Sequence, residues 1–216
     1  MGMKKYLAEF IGTFALVFCG TGAIIINQET QGSITHAGVA ITFGLIVMCM
    51  IYAFGSISGA QFNPAVTVGF ALSGRFDKKD ALPYIGSQIA GAFLASLILK
   101  FLFPINQNLG ASLPAGSSMQ SFVLELILTF ILMMVILMVS QGSKEIKPFA
   151  GIAIGGTVLL EAMFAGPICG ASMNPARSLS PAVVSGNMAD VWIYMTAPII
   201  GALLAVGVWK MLNQPE

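Results

Sequence analysis

The fold of this chain is decided by a short pattern that occurs twice, as SGAQFNPA at residues 58–65 and as CGASMNPAR at residues 169–177. Each copy places Asn-Pro-Ala after a turn of small residues, within an otherwise apolar sequence. An isolated Asn-Pro pair ordinarily marks a simple turn. Two copies at corresponding places in a repeat instead indicate a membrane protein built from two related halves.

The composition is typical of a membrane protein. Of the 216 residues, 56% are hydrophobic and 9% are charged, and the mean hydropathy is +0.87. So few charges cannot cover the surface of a soluble domain. The net charge of +1 gives no reason to expect a nucleic-acid partner, and the three cysteines lack metal or disulfide spacing. No catalytic constellation, metal site or cofactor motif is apparent.

Apolar runs define the membrane spans. Five runs are long enough, at roughly 20 residues, to cross a bilayer as a helix; they cover residues 6–27, 35–56, 80–103, 119–140 and 190–212. A shorter sixth run covers residues 148–165. The first run exceeds a signal-peptide core and no small-residue cleavage site closes it, so we expect it to remain in the mature protein.

The placement of lysine and arginine predicts the orientation, because short loops rich in these residues stay in the cytoplasm. One side carries Lys4, Lys5, Arg75, Lys78, Lys79, Lys144, Lys147 and Lys210, whereas the loops at 27–34 and 104–118 carry none. We therefore predict six spans in the plasma (inner) membrane, with both termini in the cytoplasm. Lys100 is an exception near the outer end of the third span, where its side chain can reach water.

The two halves can be overlaid in the sequence itself. Glu9, Thr13 and Phe14 match Glu125, Thr129 and Phe130, and Gly91-Ala92 matches Gly201-Ala202. Each half holds three spans, an odd number, so the second half enters the membrane from the opposite side. We predict one domain over residues 1–216, with repeat halves at about 1–110 and about 115–216.

An apolar stretch too short to span the bilayer follows each Asn-Pro pair, at residues 64–74 and 175–184. Proline suits the first helical position and asparagine is a favoured N-cap, so both stretches are predicted to be half-helices. Irregular backbone at membrane depth is tolerated only in protein or beside a watery cavity, which implies a pore where the two meet. Each N-terminus contributes roughly half a positive charge there, and the Asn63 and Asn174 amides can donate to a passing oxygen.

These residues resemble the aquaporin, or major intrinsic protein, family over essentially the whole chain. The resemblance rests on the paired Asn-Pro-Ala turns and on Arg177, three residues after the second asparagine. The stretch 166–173, with Ser178, looks most like the nodulin-like intrinsic proteins of plants and their bacterial relatives. The family's aquaglyceroporin branch usually has aspartate where Ser178 stands, which counts against a dedicated glycerol facilitator. The resemblance implies an all-α membrane fold of six transmembrane helices and two re-entrant half-helices, assembled as a homotetramer.

The resemblance also implies a selectivity filter outside the two asparagines, formed by Phe43, Ala162, Ala171 and Arg177. Water-selective members typically have histidine where Ala162 stands. Two alanines facing a phenylalanine and a guanidinium should leave a wider, half-apolar opening that suits the CH face of a polyol. Hydrogen-bond acceptors inside the pore are expected from backbone carbonyls near Ala60, Gln61, Gly170 and Ala171.

Several buried or isolated polar groups need a role of their own. The resemblance implies that Glu9 and Glu125 accept hydrogen bonds from the re-entrant loops and act as a buried scaffold. Glu161 has no counterpart there, and we expect it either to pair near the filter or to stay protonated at a subunit contact. His36 is expected to be a solvated interface residue. Cys169 lies near the outer mouth, where either mercurial block or plain packing is conceivable.

The sequence thus favours a passive channel, not an enzyme, for water and small uncharged solutes such as glycerol-like polyols, urea or neutral metalloid acids. Ions and protons should be excluded. A water-selective pore is the alternative within the family. A coupled secondary transporter is an alternative of another class, since inverted repeats with broken helices occur there too, and Glu161 alone motivates it. A membrane junction or scaffolding protein with a closed pore is a third.

Overall fold

The computed structural model describes residues 2–141 and 146–213, which form eight α-helices and no strand. The helices are α1 (Gly2–Glu29), α2 (Thr35–Ser58), α3 (Pro64–Ser73), α4 (Lys78–Leu102), α5 (Ser118–Gln141), α6 (Ala150–Cys169), α7 (Pro175–Ser185) and α8 (Val191–Leu212). A 3-10 turn, Lys147–Phe149, leads into α6. Six of these helices are long and apolar enough to cross a membrane. The prediction of six spans and two half-helices, α3 and α7, is confirmed. The predicted cytoplasmic charge at Lys144 falls outside the described residues.

The membrane span formed by α6, the fifth along the chain, ends later than predicted. The sequence pattern placed this apolar run at residues 148–165. In the structure α6 continues through Pro167 to Cys169 and ends on Gly170, which has a φ of 83°. The extra turn brings the end of α6 directly to the second re-entrant loop.

The spans approach to backbone contact at two glycines that the repeat relates to each other. A Cβ atom added at Gly91 in α4 would lie 2.2 Å from the carbonyl oxygen of Phe10 in α1. A Cβ atom added at Gly201 in α8 would lie 2.3 Å from the carbonyl oxygen of Leu126 in α5. Only glycine fits at either place, so the same close crossing occurs once in each half.

The half-helices begin as the sequence predicts. The Asn63 side chain accepts a hydrogen bond from the backbone N–H of Ala65, and the Asn174 side chain accepts from those of Ala176 and Arg177. Both asparagines have extended backbone and are followed by proline at the first helical position. Each therefore ends a loop and starts a helix, which directs the N-termini of α3 and α7 toward each other.

Candidate functional site

Each predicted pore asparagine is tied to the loop of the opposite half. Nδ2 of Asn63 donates to the carbonyl of Met173 at 2.7 Å, and Nδ2 of Asn174 donates to the carbonyl of Phe62 at 2.9 Å. The two bonds are equivalent under the repeat and join the half-helix N-termini. A carboxamide nitrogen carries two hydrogens. One hydrogen on each amide is used in this way, which leaves the second available to a molecule in the adjacent cavity.

The two buried glutamates hold the backbone of the re-entrant loops. Glu9 accepts from the backbone N–H groups of Gln61 and Phe62, at 3.0 and 2.7 Å, and also from the side chains of Ser58 and Gln88. Glu125 accepts from the backbone N–H groups that follow Ala171, at 2.7 and 2.8 Å. The N–H groups thus point away from the pore into carboxylates, so the loops are free to turn carbonyl groups the other way.

Two tyrosines brace the same loops, and the sequence reading missed them. The Tyr84 hydroxyl donates to the carbonyl of Ser58 at 2.9 Å, and the Tyr194 hydroxyl donates to that of Cys169 at 2.7 Å. Both tyrosines are buried, and both carbonyls lie at the helix end just before a re-entrant loop. The signal was present in the repeat, because each tyrosine stands seven residues before one of the matching glycines, Gly91 and Gly201.

The re-entrant loops contain alternating left-handed residues that are not glycine. Ala60 and Phe62 have φ of 51° and 50°, and their repeat equivalents Ala171 and Met173 have φ of 40° and 52°. Such backbone is strained for a residue with a side chain and persists only where its surroundings hold it. Here the carboxylates and tyrosines supply that hold, and the alternation sets successive carbonyls along the cavity.

Two cavities meet at the predicted filter. The inner one, of about 160 Å³, is lined by both asparagines, both re-entrant loops and apolar side chains such as Val47, Ile136 and Val158. The outer one, of about 400 Å³, is lined by Ala162, Gly170 and polar side chains that include Asn27, Gln28 and Asn108. Phe43 and Arg177 line both cavities.

Of the four predicted filter residues, two line both cavities and the other two line one cavity each. Phe43 and Arg177 stand at the boundary, with Arg177 Cζ 5.1 Å from the centroid of the Phe43 ring. Ala162 lines the outer side of the boundary and Ala171 the inner side. The predicted carbonyl residues divide in the same way, with Ala60 and Gln61 on the inner cavity and Gly170 on the outer one.

Arg177 is held by serines and a backbone carbonyl, a set that the sequence reading did not anticipate. Its guanidinium donates to the carbonyl of Gly110 at 3.2 Å and to the Ser112 hydroxyl, and Ser112 lies 2.7 Å from the Ser178 hydroxyl. Ser178 in turn donates to Ser172. No carboxylate among the described residues forms a salt bridge with Arg177. The guanidinium therefore lies at the boundary between the cavities without a carboxylate within salt-bridge distance among those residues.

Glu161 has neither of the two contacts expected for it among the described residues, a pairing partner near the filter or a place at a subunit contact. Its side chain is 1% exposed within the single chain, so it is not at a subunit contact. Neither of its carboxyl oxygens has a hydrogen-bond partner in the described part of the chain, and the residue lines neither cavity. Glu161 is thus a buried carboxyl outside the pore.

Other singled-out residues lie around this site. Cys169 is fully buried, accepts from the N–H of Ala171 and lines neither cavity. His36 is exposed at the outer cavity, where its ring also bonds α6. Lys100 reaches the outer loop and donates to the carbonyl of Pro104 at 3.2 Å. Among the residues described, no cluster of three or more His, Cys, Asp or Glu is placed to hold a metal ion.

Comparison with known proteins gives consistent results. Residues 1–209 match the family model described as major intrinsic protein. The chain is 48% identical to aquaporin NIP1-1 of Zea mays over 212 residues, which cover 98% of this chain and 75% of that protein. It is 42% identical to nodulin-26 of Glycine max over 215 residues, covering 99% and 79% of the two chains.

A solved structure is similar over nearly the full length. The X-ray structure of the aquaglyceroporin from Plasmodium falciparum superimposes with a TM-score of 0.87 at 27% sequence identity, covering 99% of this chain and 98% of that one. The similarity therefore extends to every helix described above, including the two half-helices.

Proposed function

Because the chain belongs to the major intrinsic protein family, and is thus a membrane channel for water and small neutral solutes and not an enzyme, we propose that its pore admits glycerol-sized polyols as well as water. The solute range, the roles of individual site residues, the orientation and the assembly are parts of this proposal. Each is supported by a separate feature of the molecule.

The observation that carries the proposal is the pair of alanines at the boundary between the cavities. Ala162 and Ala171 have the smallest side chains that contain a Cβ, and each lines one of the two cavities that the Phe43 ring and the Arg177 guanidinium also line. A polyol has a carbon side and a hydroxyl side. Its carbon side can lie against the ring and the two methyl groups, while its hydroxyls accept from Arg177, so little hydration is lost without replacement.

The inner cavity also has an apolar side and a polar side. One wall is apolar, with Val47 and Val158 among its residues, and the other carries the loop carbonyls and the two asparagine amides. A neutral solute or water molecule that both donates and accepts finds partners on the polar wall. Urea and undissociated metalloid acids share this donor and acceptor character, so we include them in the proposed range.

A cation that enters the pore meets positive charge at two places. Arg177 lacks a salt bridge among the residues described, and the N-termini of α3 and α7 converge on Asn63 and Asn174. Each helix N-terminus contributes roughly half a positive charge. A cation therefore faces repulsion at the filter and again at the asparagines, and a small anion lacks donors along the apolar wall. We infer exclusion of ions and protons from this arrangement.

A coupled transporter, the alternative of another class, rests on Glu161. That carboxyl lines neither cavity, so a substrate in the pore does not contact it. A pore that passes only water remains the second candidate, because Phe43 and Arg177 approach to 5.1 Å and Ser178 replaces the aspartate of the glycerol branch.

The proposed setting is a homotetramer in the plasma (inner) membrane with both termini in the cytoplasm. Lysine and arginine on one side of the spans support the orientation. Large apolar side chains on the outside of the chain, such as Leu160, Phe164 and Phe101 at 62%, 68% and 82% exposure, suit lipid or a neighbouring subunit. We propose one channel domain with halves at about 1–110 and about 115–216.

Flux measurements on purified protein in proteoliposomes test the proposal. Stopped-flow light scattering should show water and glycerol permeability well above that of empty liposomes, and no potassium conductance. Imposing a proton gradient should leave glycerol uptake unchanged, since a passive pore has no coupling. Uptake that follows the proton gradient would establish the transporter instead, and absent permeability in well-folded protein would indicate a closed scaffold.

A further inference from the structure

The outer part of α6 has a gap in its hydrogen bonding, and α2 fills it. In an α-helix each carbonyl accepts from the amide four residues later, so the carbonyl of Met163 would accept from residue 167. Pro167 has no N–H. The Met163 carbonyl instead lies 2.8 Å from Nε2 of His36, at the second residue of α2.

The geometry of this contact defines the roles of its atoms. A carbonyl oxygen can only accept, so Nε2 of His36 carries the hydrogen and donates it. Gly166 leaves room for the ring, because a Cβ atom there would lie 3.0 Å from Cε1 of His36. The chain thus combines a missing amide, a replacement donor and the space for it.

The contact lies beside the filter. Met163 directly follows Ala162, and His36, Ala162 and Pro167 line the same outer cavity as Arg177. Phe43, another of the proposed filter residues, is two turns further along α2, the helix that carries His36. The bond from His36 therefore joins the outer ends of two helices that also pack closely at Gly44 and Gly155, where an added Cβ atom on either glycine would lie 2.6 Å from the carbonyl oxygen of the other.

Donors from other elements also hold the rest of this helix end. The carbonyl of Ile168 accepts from the backbone N–H of Ala115 at 2.9 Å, and that of Cys169 accepts from the Tyr194 hydroxyl at 2.7 Å. The His36 contact is the one that comes from α2, and it lies nearest to Ala162 in sequence. Its loss would leave the outer end of α6, beyond the crossing at Gly44 and Gly155, without a hydrogen bond to α2 among the described residues.

We propose that His36 is a positioning residue for the selectivity filter, and that its Nε2–H replaces the amide that Pro167 lacks and thereby fixes the separation between Ala162 and Phe43. This inference rests on the proposed filter role of Ala162. His36 acts through the backbone of α6, not by contacting the solute. Without its donor the end of α6 can move away from α2, and the opening then selects less strictly by size.

A double-mutant cycle tests this directly. His36→Leu removes the donor, His36→Gln keeps a donor on a side chain of similar reach, and Pro167→Ala restores the backbone amide for Met163. The readout is the ratio of glycerol to erythritol permeability in proteoliposomes, since erythritol is the next larger polyol. We expect His36→Leu to lower this ratio about threefold, as the loss of one hydrogen bond implies. His36→Gln should stay near wild type.

The restored amide provides the decisive comparison. In the Pro167→Ala background, His36→Leu should no longer change the ratio, because Met163 then bonds within its own helix. An unchanged ratio for His36→Leu alone, or an equal drop in both backgrounds, would overturn the inference. Should His36→Leu fail to fold, folding restored by Pro167→Ala would support the inference, and failure in both backgrounds would overturn it.

The melting temperature of the purified variants gives a second readout that needs no solute. His36→Leu should lower it in the wild-type background and leave it unchanged beside Pro167→Ala. If wild-type protein conducts water but not glycerol, the proposed solute range is wrong, and this thermal cycle decides the His36 inference on its own.

Discussion

At the scale of single residues, two buried glutamates differ in their hydrogen bonding. Glu9 accepts four hydrogen bonds and is fully buried, whereas Glu161 is equally buried and accepts none from the described residues. A buried carboxylate is tolerated when donors surround it. Substitution by glutamine should therefore lower the stability of the protein at Glu9 and leave it unchanged at Glu161.

Glu9→Gln should destabilise the protein. The new amide would place N–H hydrogens against loop N–H groups that now donate to Glu9, and at least one buried donor would lose its acceptor. We expect a loss of about 3 kcal/mol in unfolding free energy, measured by thermal unfolding in detergent. Thr13→Val is a matched control one turn away, because the Thr13 hydroxyl has no hydrogen-bond partner in the described part of the chain and its removal should cost nothing. Equal losses in both variants would contradict the scaffold role.

Glu161→Gln should leave both folding and permeation intact. The carboxyl has no protein partner among the described residues and lines neither cavity, so a neutral side chain of the same shape preserves the packing. Water permeability and melting temperature, measured side by side with wild type, provide the check. A large loss of permeability in well-folded Glu161→Gln protein would show that this carboxyl participates in transport.

Mercurial reagents should not block the wild-type pore. Cys169 is 0% exposed and lines neither cavity, so its thiol is a packed group. Ala162→Cys places a thiol at the filter itself and should make water permeability sensitive to mercury. Inhibition of wild type that Cys169→Ser abolishes would show that the thiol is reachable from the mouth.

At the scale of the elements, the half-helices were predictable and the long-range braces were not. Asn63 and Asn174 carry local signals, an N-cap followed by proline, and these fixed the starts of α3 and α7. The end of α6 was misjudged because the bond that lets the helix pass Pro167 comes from His36, 127 residues away in sequence. The Ser112 contact to Arg177 spans 65 residues and has no local pattern either.

The glycine crossings give a prediction at the same scale. Gly201→Ala should push α8 away from α5, because its Cβ would lie 2.3 Å from the Leu126 carbonyl oxygen. Gly207→Ala in the same helix meets nothing within 4 Å and should stabilise α8 by about 0.5–1 kcal/mol through helix propensity. Size-exclusion profiles and melting temperatures separate the two variants. A Gly201→Ala variant as stable as Gly207→Ala would contradict the close crossing.

At the scale of the whole molecule, the repeat explains why the pore exists. Four features of the re-entrant loop occur in each half. A glutamate accepts hydrogen bonds from the loop N–H groups, a tyrosine donates to the carbonyl just before the loop, left-handed residues lie within the loop, and an asparagine ends it. The sequence overlay predicted the inverted repeat and the matching pair of buried glutamates. It also aligned the two tyrosines, but their role in the loops was not predicted. It could not predict that the two asparagines bond to each other's loops, because that contact forms only when the halves meet in the membrane.

The halves are equivalent in the loops but differ at the proposed filter, and we propose that this difference sets which solutes pass. The proposed filter belongs to the outer side, where the guanidinium of Arg177 in α7 lies over the Phe43 ring of α2. The repeat position that matches Arg177 in the first half is Val66, an apolar residue on the wall of the inner cavity. Selection by charge and size is therefore expected at one end of the pore only.

We propose that Ala162 leaves the opening wide enough for a polyol, and comparing wild type with the Ala162→His variant tests this proposal. Stopped-flow light scattering would measure water and glycerol permeability for wild type and for Ala162→His in the same proteoliposomes. We expect wild type to conduct both water and glycerol, and the histidine variant to lose glycerol permeability while it keeps water permeability. Wild-type protein that conducts water but excludes glycerol would contradict this proposal.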